Sequence, residues 1–236
     1  MNKYIKSISF AVAALPLFAA CDDGKIYDEI SGPDSGSGIT VVMKGAVTGC
    51  SDYADNTKYS PVLAAFTADN DFAVVSKPIA DGDADVTISN VPSDAATIEV
   101  CLINRLRERI FTYSKIDVTD PGADIIFDAG SVDVSRFASV EQGIFAKTCT
   151  QCHGATGHAA ASLNLMPGNA AKMLLGVPST VVDGEVRVVP GNASASLLWE
   201  TVATQVSVDW AFNHSNLLTE KESGFIEDWI NSENPE

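Results

Sequence analysis

The sequence predicts a multidomain protein in which an all-β part is followed by an all-α part. Between residues 39 and 131, short apolar runs alternate with Gly, Pro, Asn and Asp, a pattern typical of strands joined by turns. From residue 132 onward the apolar residues recur every three or four positions, which is the period of a helix. We therefore expect an N-terminal antiparallel β-sandwich at 39–131, followed by a small helical domain at 132–236.

About seven strand-like segments make up the predicted sandwich. They include ITVVMKGAV from Ile39, PVLAAFTA from Pro61 and ATIEVCLIN from Ala96. This number of short strands fits two packed antiparallel sheets. The region resembles the immunoglobulin-like or transthyretin-like modules of exported bacterial proteins, a resemblance of architecture that implies no functional residues.

The first twenty residues predict a signal peptide. Lys3 and Lys6 precede an apolar run over residues 8–20 that is too short for a comfortable membrane span. The run ends in LPLFAAC, which resembles a bacterial lipobox. The resemblance implies that Cys21 becomes the acylated first residue of the mature chain, while the alternative is an ordinary secretion signal that is cut near Ala20.

Residues 21–38 predict a lipidated flexible tether, because they are poor in apolar side chains and rich in Gly, Ser and Asp. The lipobox resemblance implies a location in the bacterial cell envelope, anchored to a membrane and facing the periplasm or the cell surface. Over the whole chain, 31 acidic residues outnumber 15 basic ones. Because so acidic a surface repels phosphates, we expect no nucleic-acid partner.

Two cysteines, Cys50 and Cys101, fall within the predicted sandwich. In an oxidising compartment a pair of this kind predicts a disulfide. The alternative is two buried free thiols, since the sequence alone does not bring the two residues within bonding distance.

The segment Cys149-Thr150-Gln151-Cys152-His153 is the strongest chemical motif in the chain. A structural zinc site needs four ligands, and adjacent Cys and His side chains rarely reach one metal. A thioredoxin-like dithiol follows a strand of an α/β sheet, whereas a helical pattern precedes this motif. Two thiols on one helical turn, followed at once by histidine, are the pattern of covalent haem attachment, so haem is favoured over zinc or a redox dithiol.

The chain from Val132 resembles a class I single-haem cytochrome c domain. The resemblance rests on the amphipathic segment ending GIFAKTCTQCHG, on a Pro190-Gly191 turn and on a final helix at 219–231. It implies a helical fold, one covalent haem c and a redox partner protein. It also implies thioethers at Cys149 and Cys152, with His153 as the proximal iron ligand. Other residues are expected to form the haem-pocket wall and core: Phe145, Leu163, Leu165, Leu198, Trp199 and Trp229.

The expected sixth iron ligand departs from the family pattern. A methionine usually precedes the last helix, but the segment VSVDWAFNHSNLLT offers only His214 as a strong ligand. His214 is therefore the candidate distal ligand, with Met166 of an upstream Met-Pro pair as the alternative and an open site as a third possibility. His158 is too near the motif to reach the far side of a haem easily, and Met173 lies on an apolar helical stripe.

These observations predict a membrane-anchored c-type cytochrome that transfers single electrons to or from a redox partner in the envelope. The sequence contains no recognisable nucleophilic or acid–base constellation, so we expect an electron carrier rather than an enzyme. Two alternatives remain. The sandwich could be a binding or adhesion module that brings a haem to an enzyme or polysaccharide, or an open iron site could serve a haem peroxidase or gas sensor.

Overall fold

The computed structural model describes residues 38–54, 58–154, 159–203 and 212–232 of the 236-residue chain. The predicted signal peptide, Cys21 and the tether up to residue 37 lie outside these ranges. Within them, most of the regular structure is β-sheet. The strands are β1 (Ile39–Thr48), β2 (Tyr59–Thr67), β3 (Val75–Pro78), β4 (Gly82–Val91), β5 (Ala95–Asn104), β6 (Arg109–Asp117) and β7 (Ile125–Asp133).

The strands form two sheets. One sheet has three strands in the order β4-β1-β7, and the other has four in the order β3-β2-β5-β6. Neighbouring strands are antiparallel except β1 and β7, which are parallel. The strand-rich region is therefore a mixed sandwich rather than the purely antiparallel one that the sequence predicts.

Burial explains why apolar and polar residues alternate in some strands, whereas other strands are continuously apolar. In β1, Val41 and Met43 point into the core between the sheets, while Lys44 is exposed. In the central strand β2 both faces are buried. Leu63 faces the other sheet and Phe66 lies in a second cluster on the opposite face, so no polar position interrupts the run.

The helices that follow are short. Their bounds are α1 (Arg136–Val140), a π-helix (Glu141–Cys149), α2 (Thr150–His153), α3 (Ala170–Leu174), α4 (Leu197–Ala203) and α5 (Glu220–Ile230), with single 3-10 turns at Cys50–Tyr53, Ala160–Ser162 and Ala193–Ala195. Helix α5 begins with a capping box. The Thr219 side chain accepts a hydrogen bond from the Glu222 amide, and the Glu222 carboxylate accepts one from the Thr219 amide.

Sheet residues take part in the apolar core of the helices. Leu102 of β5 and Phe111 of β6 are cross-strand partners, and both belong to one cluster with Phe225 and Trp229 of α5. Tyr113 packs against this cluster and also against the core between the sheets. Ser37–Glu236 accordingly forms one compact unit.

The predicted fold class is wrong. The chain is not an all-β sandwich followed by a separate helical cytochrome c domain. Two sheets with seven strands dominate the described residues, and the longest helix there, α5, has 11 residues. The physical reason is that these short helices bury their apolar faces partly against Leu102 and Phe111 of the sheet, instead of closing a core of their own.

The predicted disulfide between Cys50 and Cys101 is also wrong. Both cysteines are free. Cys50 packs against the core between the sheets, whereas Cys101 lies in the cluster on the other face of the four-stranded sheet. The structure therefore places the two thiols on opposite faces of the four-stranded sheet and does not pair them.

None of the helices in the described part of the chain is both long enough and apolar enough to span a membrane.

Candidate functional site

The Cys-X-X-Cys-His motif lies on a turn that a π-helix leads into. The π-helix ends at Cys149, and α2 continues the chain from Thr150 to His153. Ile144 and Phe145 of the π-helix are fully buried and anchor the turn against the helical core. A π-helix is rare and often marks a functional site.

The two thiols of the motif differ in environment. Cys149 is partly buried against the helical core, while Cys152 is exposed. Burial, and then the charge of Glu222, raise the pKa of Cys149 to about 11. The Cys149 thiol is therefore protonated at neutral pH, whereas a redox-exchanging cysteine needs a lowered pKa. This environment disfavours the dithiol alternative.

Gly154 closes the motif because nothing larger fits there. A Cβ atom at this position would lie 2.4 Å from the carbonyl oxygen of Thr150 and 3.1 Å from the sulfur of Met166. The glycine thus allows the chain to leave α2 directly over its own last turn, with Met166 packed against the exit.

The His153 ring is held in one tautomer. Its Nδ1 lies 3.0 Å from the carbonyl oxygen of Ala160, and since a carbonyl can only accept, Nδ1 carries the proton. The backbone oxygen of His153 accepts a hydrogen bond of 2.6 Å from the Leu165 amide. In the neutral ring this arrangement makes Nε2 the nitrogen whose lone pair is available to a metal.

The structure brings His214 next to His153. The ring centroids are 6.2 Å apart and the ring planes are inclined by 34°. A metal–imidazole bond is about 2 Å long and the ligating nitrogen lies ~1 Å from the ring centre, so two imidazoles that share one metal have centroids about 6 Å apart. The His153–His214 separation therefore matches the spacing of two imidazoles on one metal, and it also matches the ordinary ring contact between Phe145 and Trp229.

His214 lies on the segment that leads into α5. Its carbonyl oxygen accepts a hydrogen bond from the Leu217 amide at 3.1 Å, and its ring makes an edge contact with Phe212, whose centroid is 5.2 Å away. Burial, and then the neighbouring His153, lower the pKa of His214. This lowering favours the uncharged ring that a metal ligand requires.

The other sulfur and nitrogen candidates stand elsewhere. Met166 is 42% exposed and lies against the exit of α2, in a loop that a hydrogen bond from the Gly168 amide to Glu141 ties to the π-helix. Met173 is in α3 and is partly buried. His158 lies outside the described residues.

The donor set suits a haem better than a bare metal ion. Across the described ranges, no group of three or more His, Cys, Asp or Glu side chains is placed to hold a metal ion, so the zinc alternative has no ligand set there. A haem brings four nitrogens of its own and requires only axial ligands from the protein. His153 and the two thiols of its turn, together with His214 from the segment before α5, could supply such ligands.

The residues expected to form the haem-pocket wall and core share one apolar cluster. All six belong to or pack against the apolar cluster that Cys149 contacts. The fully buried members are Phe145, Leu165 and Trp229, and the partly buried ones are Leu163, Leu198 and Trp199.

Sequence reasoning missed three features of this site. The π-helix leaves no signature in its apolar spacing, and the carbonyl of Ala160 is a backbone group that no side-chain pattern reveals. The Glu222 carboxylate was identified only as a helix cap, yet its charge also acts on Cys149.

No protein-family model, curated protein or solved structure matches this chain. Its function is therefore inferred from the residues of the site.

Proposed function

We propose that this protein is a membrane-anchored c-type cytochrome that carries one covalent haem and transfers single electrons to or from a redox partner in the bacterial cell envelope. The observation that carries the proposal is the placement of His214, whose ring centroid is 6.2 Å from that of His153 beside the two thiols of the motif. The two histidines are far apart in sequence, and the fold brings their rings together.

Each residue of the site has a distinct role. Cys149 and Cys152 would hold a haem through thioethers, each formed when an S–H bond adds across a vinyl group, so that no oxidant would be consumed. His153, which Ala160 orients, and His214 would supply nitrogen ligands to the iron. The bound haem would supply one-electron redox chemistry.

The environment of the site supports electron transfer over catalysis. Apolar side chains such as Phe145 and Trp229 exclude water on the side of the core, which tunes the potential. If His153 and His214 both held the iron, no position would remain for a substrate to bind it. The peroxidase and gas-sensor alternatives require an open position instead.

The first experiment tests covalent attachment. The exported protein is produced in a bacterium that assembles c-type cytochromes, denatured in acid and extracted with organic solvent. We expect the colour to remain with the protein and to be lost in the double variant Cys149→Ala/Cys152→Ala. Cys50→Ala is the matched control because this thiol lies in the sandwich core. Colour that moves into the solvent from the wild type would overturn the proposal.

The second experiment assigns the distal ligand. A methionine bound to ferric iron gives a weak long-wavelength band that a bis-histidine haem lacks. We expect no such band in the oxidised wild type, and we expect carbon monoxide to bind the reduced His214→Ala variant but not the wild type. Met166→Ala should behave like the wild type. A band that Met166→Ala abolishes, or prompt binding of carbon monoxide by the wild type, would exclude His214.

The membrane anchor at Cys21 is proposed from the lipobox alone. In a Gram-negative host we expect the wild type in the membrane fraction and Cys21→Ala in the soluble periplasmic fraction. Equal amounts of both proteins in the soluble fraction would argue for an ordinary cleaved signal peptide.

A further inference from the structure

The carbonyl that orients His153 belongs to an unusual turn. Residues Ala160–Ser162 form a 3-10 turn in which Ala161 and Ser162 have φ angles of 53° and 52°. Non-glycine residues rarely adopt this left-handed region, because their Cβ crowds the following carbonyl oxygen. A turn of this kind persists only where its surroundings hold it in place.

Two side chains hold this turn through one oxygen. Thr180 donates from its hydroxyl to the carbonyl oxygen of Ala161 at 2.9 Å, and Arg187 donates from Nη2 to the same oxygen at 3.3 Å. The adjacent peptide carbonyl, that of Ala160, is the one that accepts from His153. The two donors and His153 therefore act on consecutive carbonyls of the turn.

Arg187 is unusual among the basic residues of this acidic protein. It is only 7% exposed, and in the described part of the chain no acidic side chain forms an ion pair with it. Its second hydrogen bond, from Nη1, goes to the carbonyl oxygen of Met173 at 2.9 Å. A buried charge without an acidic partner is costly. The guanidinium offsets this cost by donating to two backbone carbonyls at once.

The position of Arg187 is itself fixed. Its amide donates to the carbonyl oxygen of Val177 at 2.8 Å, and its carbonyl oxygen accepts from the Leu198 amide at 2.9 Å. The guanidinium thus links the Ala160–Ser162 turn to the end of α3, while the backbone of Arg187 is tied to the start of α4. A fork of this width spans two carbonyls, which the single ammonium of a lysine does not do.

We infer that Arg187 and Thr180 are positioning residues for the haem ligand, because they clamp the Ala160–Ser162 turn that sets the hydrogen bond of His153. This inference rests on the proposed function. A firmly held acceptor makes the imidazole more electron-rich and so favours ferric iron. Loosening the clamp weakens the hydrogen bond at Nδ1 and shifts the midpoint potential upward.

The test compares Arg187→Lys and Thr180→Val in the haem-bearing protein. Lysine keeps the charge, so any effect arises from the lost fork; Thr180 is exposed, so Thr180→Val is expected to fold even if Arg187→Lys does not. In both variants we expect a more positive midpoint potential and faster solvent exchange of the His153 Nδ1 proton in NMR spectra of the reduced protein. The shift should be smaller for Thr180→Val.

Arg136→Lys is the matched control. Arg136 also donates to a backbone carbonyl, that of Asp52 at 2.6 Å, but it belongs to α1 and makes no contact with the turn. We expect it to leave potential and exchange unchanged. Haem-bearing variants of Arg187 and Thr180 that match the wild type in both measurements would overturn the clamp and leave the proposed function standing. Absence of covalent haem in the wild type would instead defeat the proposed function.

Discussion

Two tyrosine hydroxyls meet on one serine where the sheets join the helices. Tyr53 and Tyr113 lie 3.2 Å and 2.7 Å from the Oγ of Ser139. That hydroxyl donates its single hydrogen to the carbonyl oxygen of Ser135 at 2.7 Å, so it accepts from both tyrosines. The phenols must therefore keep their protons for the network to hold.

The Tyr53 network predicts a loss of stability in alkali. Burial raises the pKa of Tyr53 from 10.0 to about 12. Because the folded protein holds this proton more tightly than the unfolded chain does, the stabilisation is complete below pH 10 and is lost as the pH rises toward 12. We expect the Tyr53→Phe variant to lose less unfolding free energy than the wild type between pH 10 and 12, as measured by urea unfolding. An equal loss in both proteins would contradict this account.

Gly154 offers a second prediction at the scale of one residue. The Cβ of Gly154→Ala would lie 2.4 Å from the Thr150 carbonyl oxygen, and backbone must shift to relieve the overlap. We expect a loss of about 1–3 kcal/mol in unfolding free energy, measured by urea unfolding. Gly122→Ala is the control, since its Cβ would meet only a side-chain oxygen of Asp120 at 3.5 Å. Equal stabilities of the two variants would contradict the close approach.

At the scale of elements, the π-helix packs closely against the sheet at Gly143. Gly143 lies under the ring of Phe111, and a Cβ atom there would come within 2.6 Å of the ring. The ring is itself held by an edge contact with Phe225, at 4.9 Å between centroids. Little space remains for the ring to move aside.

A pair of glycine variants tests this packing. We expect Gly143→Ala to lower the unfolding free energy by about 1–3 kcal/mol because it overpacks the core. The same change at Gly224, within α5, meets no atom within 4 Å and should raise it by up to about 1 kcal/mol. Thermal or urea unfolding measures both. A stabilising Gly143→Ala would show that the π-helix can shift freely over β6.

The elements differ in how far the sequence reveals them. The apolar runs and their turn residues predict the strands, and the capping box of Thr219 and Glu222 predicts the start of α5, because these signals are local. The π-helix over residues 141–149 and the parallel pairing of β1 with β7 are not local signals. Both features depend on which residues from distant parts of the sequence pack against these segments. The spacing of apolar residues does not encode those long-range contacts.

The site divides in the same way. The thiols of Cys149 and Cys152 and the His153 side chain follow from adjacency in sequence. The approach of His214 could be proposed from its place before the last helix, but the role of Arg187 could not. Its one visible signal is a single charge within the apolar run VRVV. The wrong prediction of a Cys50–Cys101 disulfide has a related cause. Successive side chains of a strand point to opposite faces of its sheet, and the fold alone decides which face Cys101 occupies.

At the scale of the whole molecule, charged and apolar contacts both join α5 to the sheets. The Nζ of Lys58 and the hydroxyl of Tyr59 bond the Asp228 carboxylate at 2.7 Å and 3.0 Å, and Lys221 bonds Glu108 at 2.9 Å. Exposed ion pairs of this kind contribute about 0–1 kcal/mol each. Burying one aromatic side chain contributes about 2–3 kcal/mol. The shared apolar core around Phe111 therefore holds sheets and helices together.

Because the core is shared, sheets and helices should unfold in one cooperative transition. The chain has three tryptophans, Trp199, Trp210 and Trp229, and all of them follow the last strand. Tryptophan fluorescence consequently reports on the helical region, whereas far-UV circular dichroism includes the sheets. Ile88 of β4 is buried in the core between the sheets, outside the cluster that contains Trp229.

We expect Ile88→Ala to lower the unfolding free energy by about 2–5 kcal/mol and to shift the fluorescence and circular-dichroism midpoints equally in urea. The loss arises within the sandwich, yet the tryptophans should register all of it, since the helical core cannot persist once Leu102 and Phe111 leave it. Two independent domains would behave differently: the dichroism would become biphasic while the fluorescence midpoint stayed that of the wild type. Such a result would mean that the contacts of Leu102 and Phe111 with α5 contribute too little energy to couple the two parts of the fold.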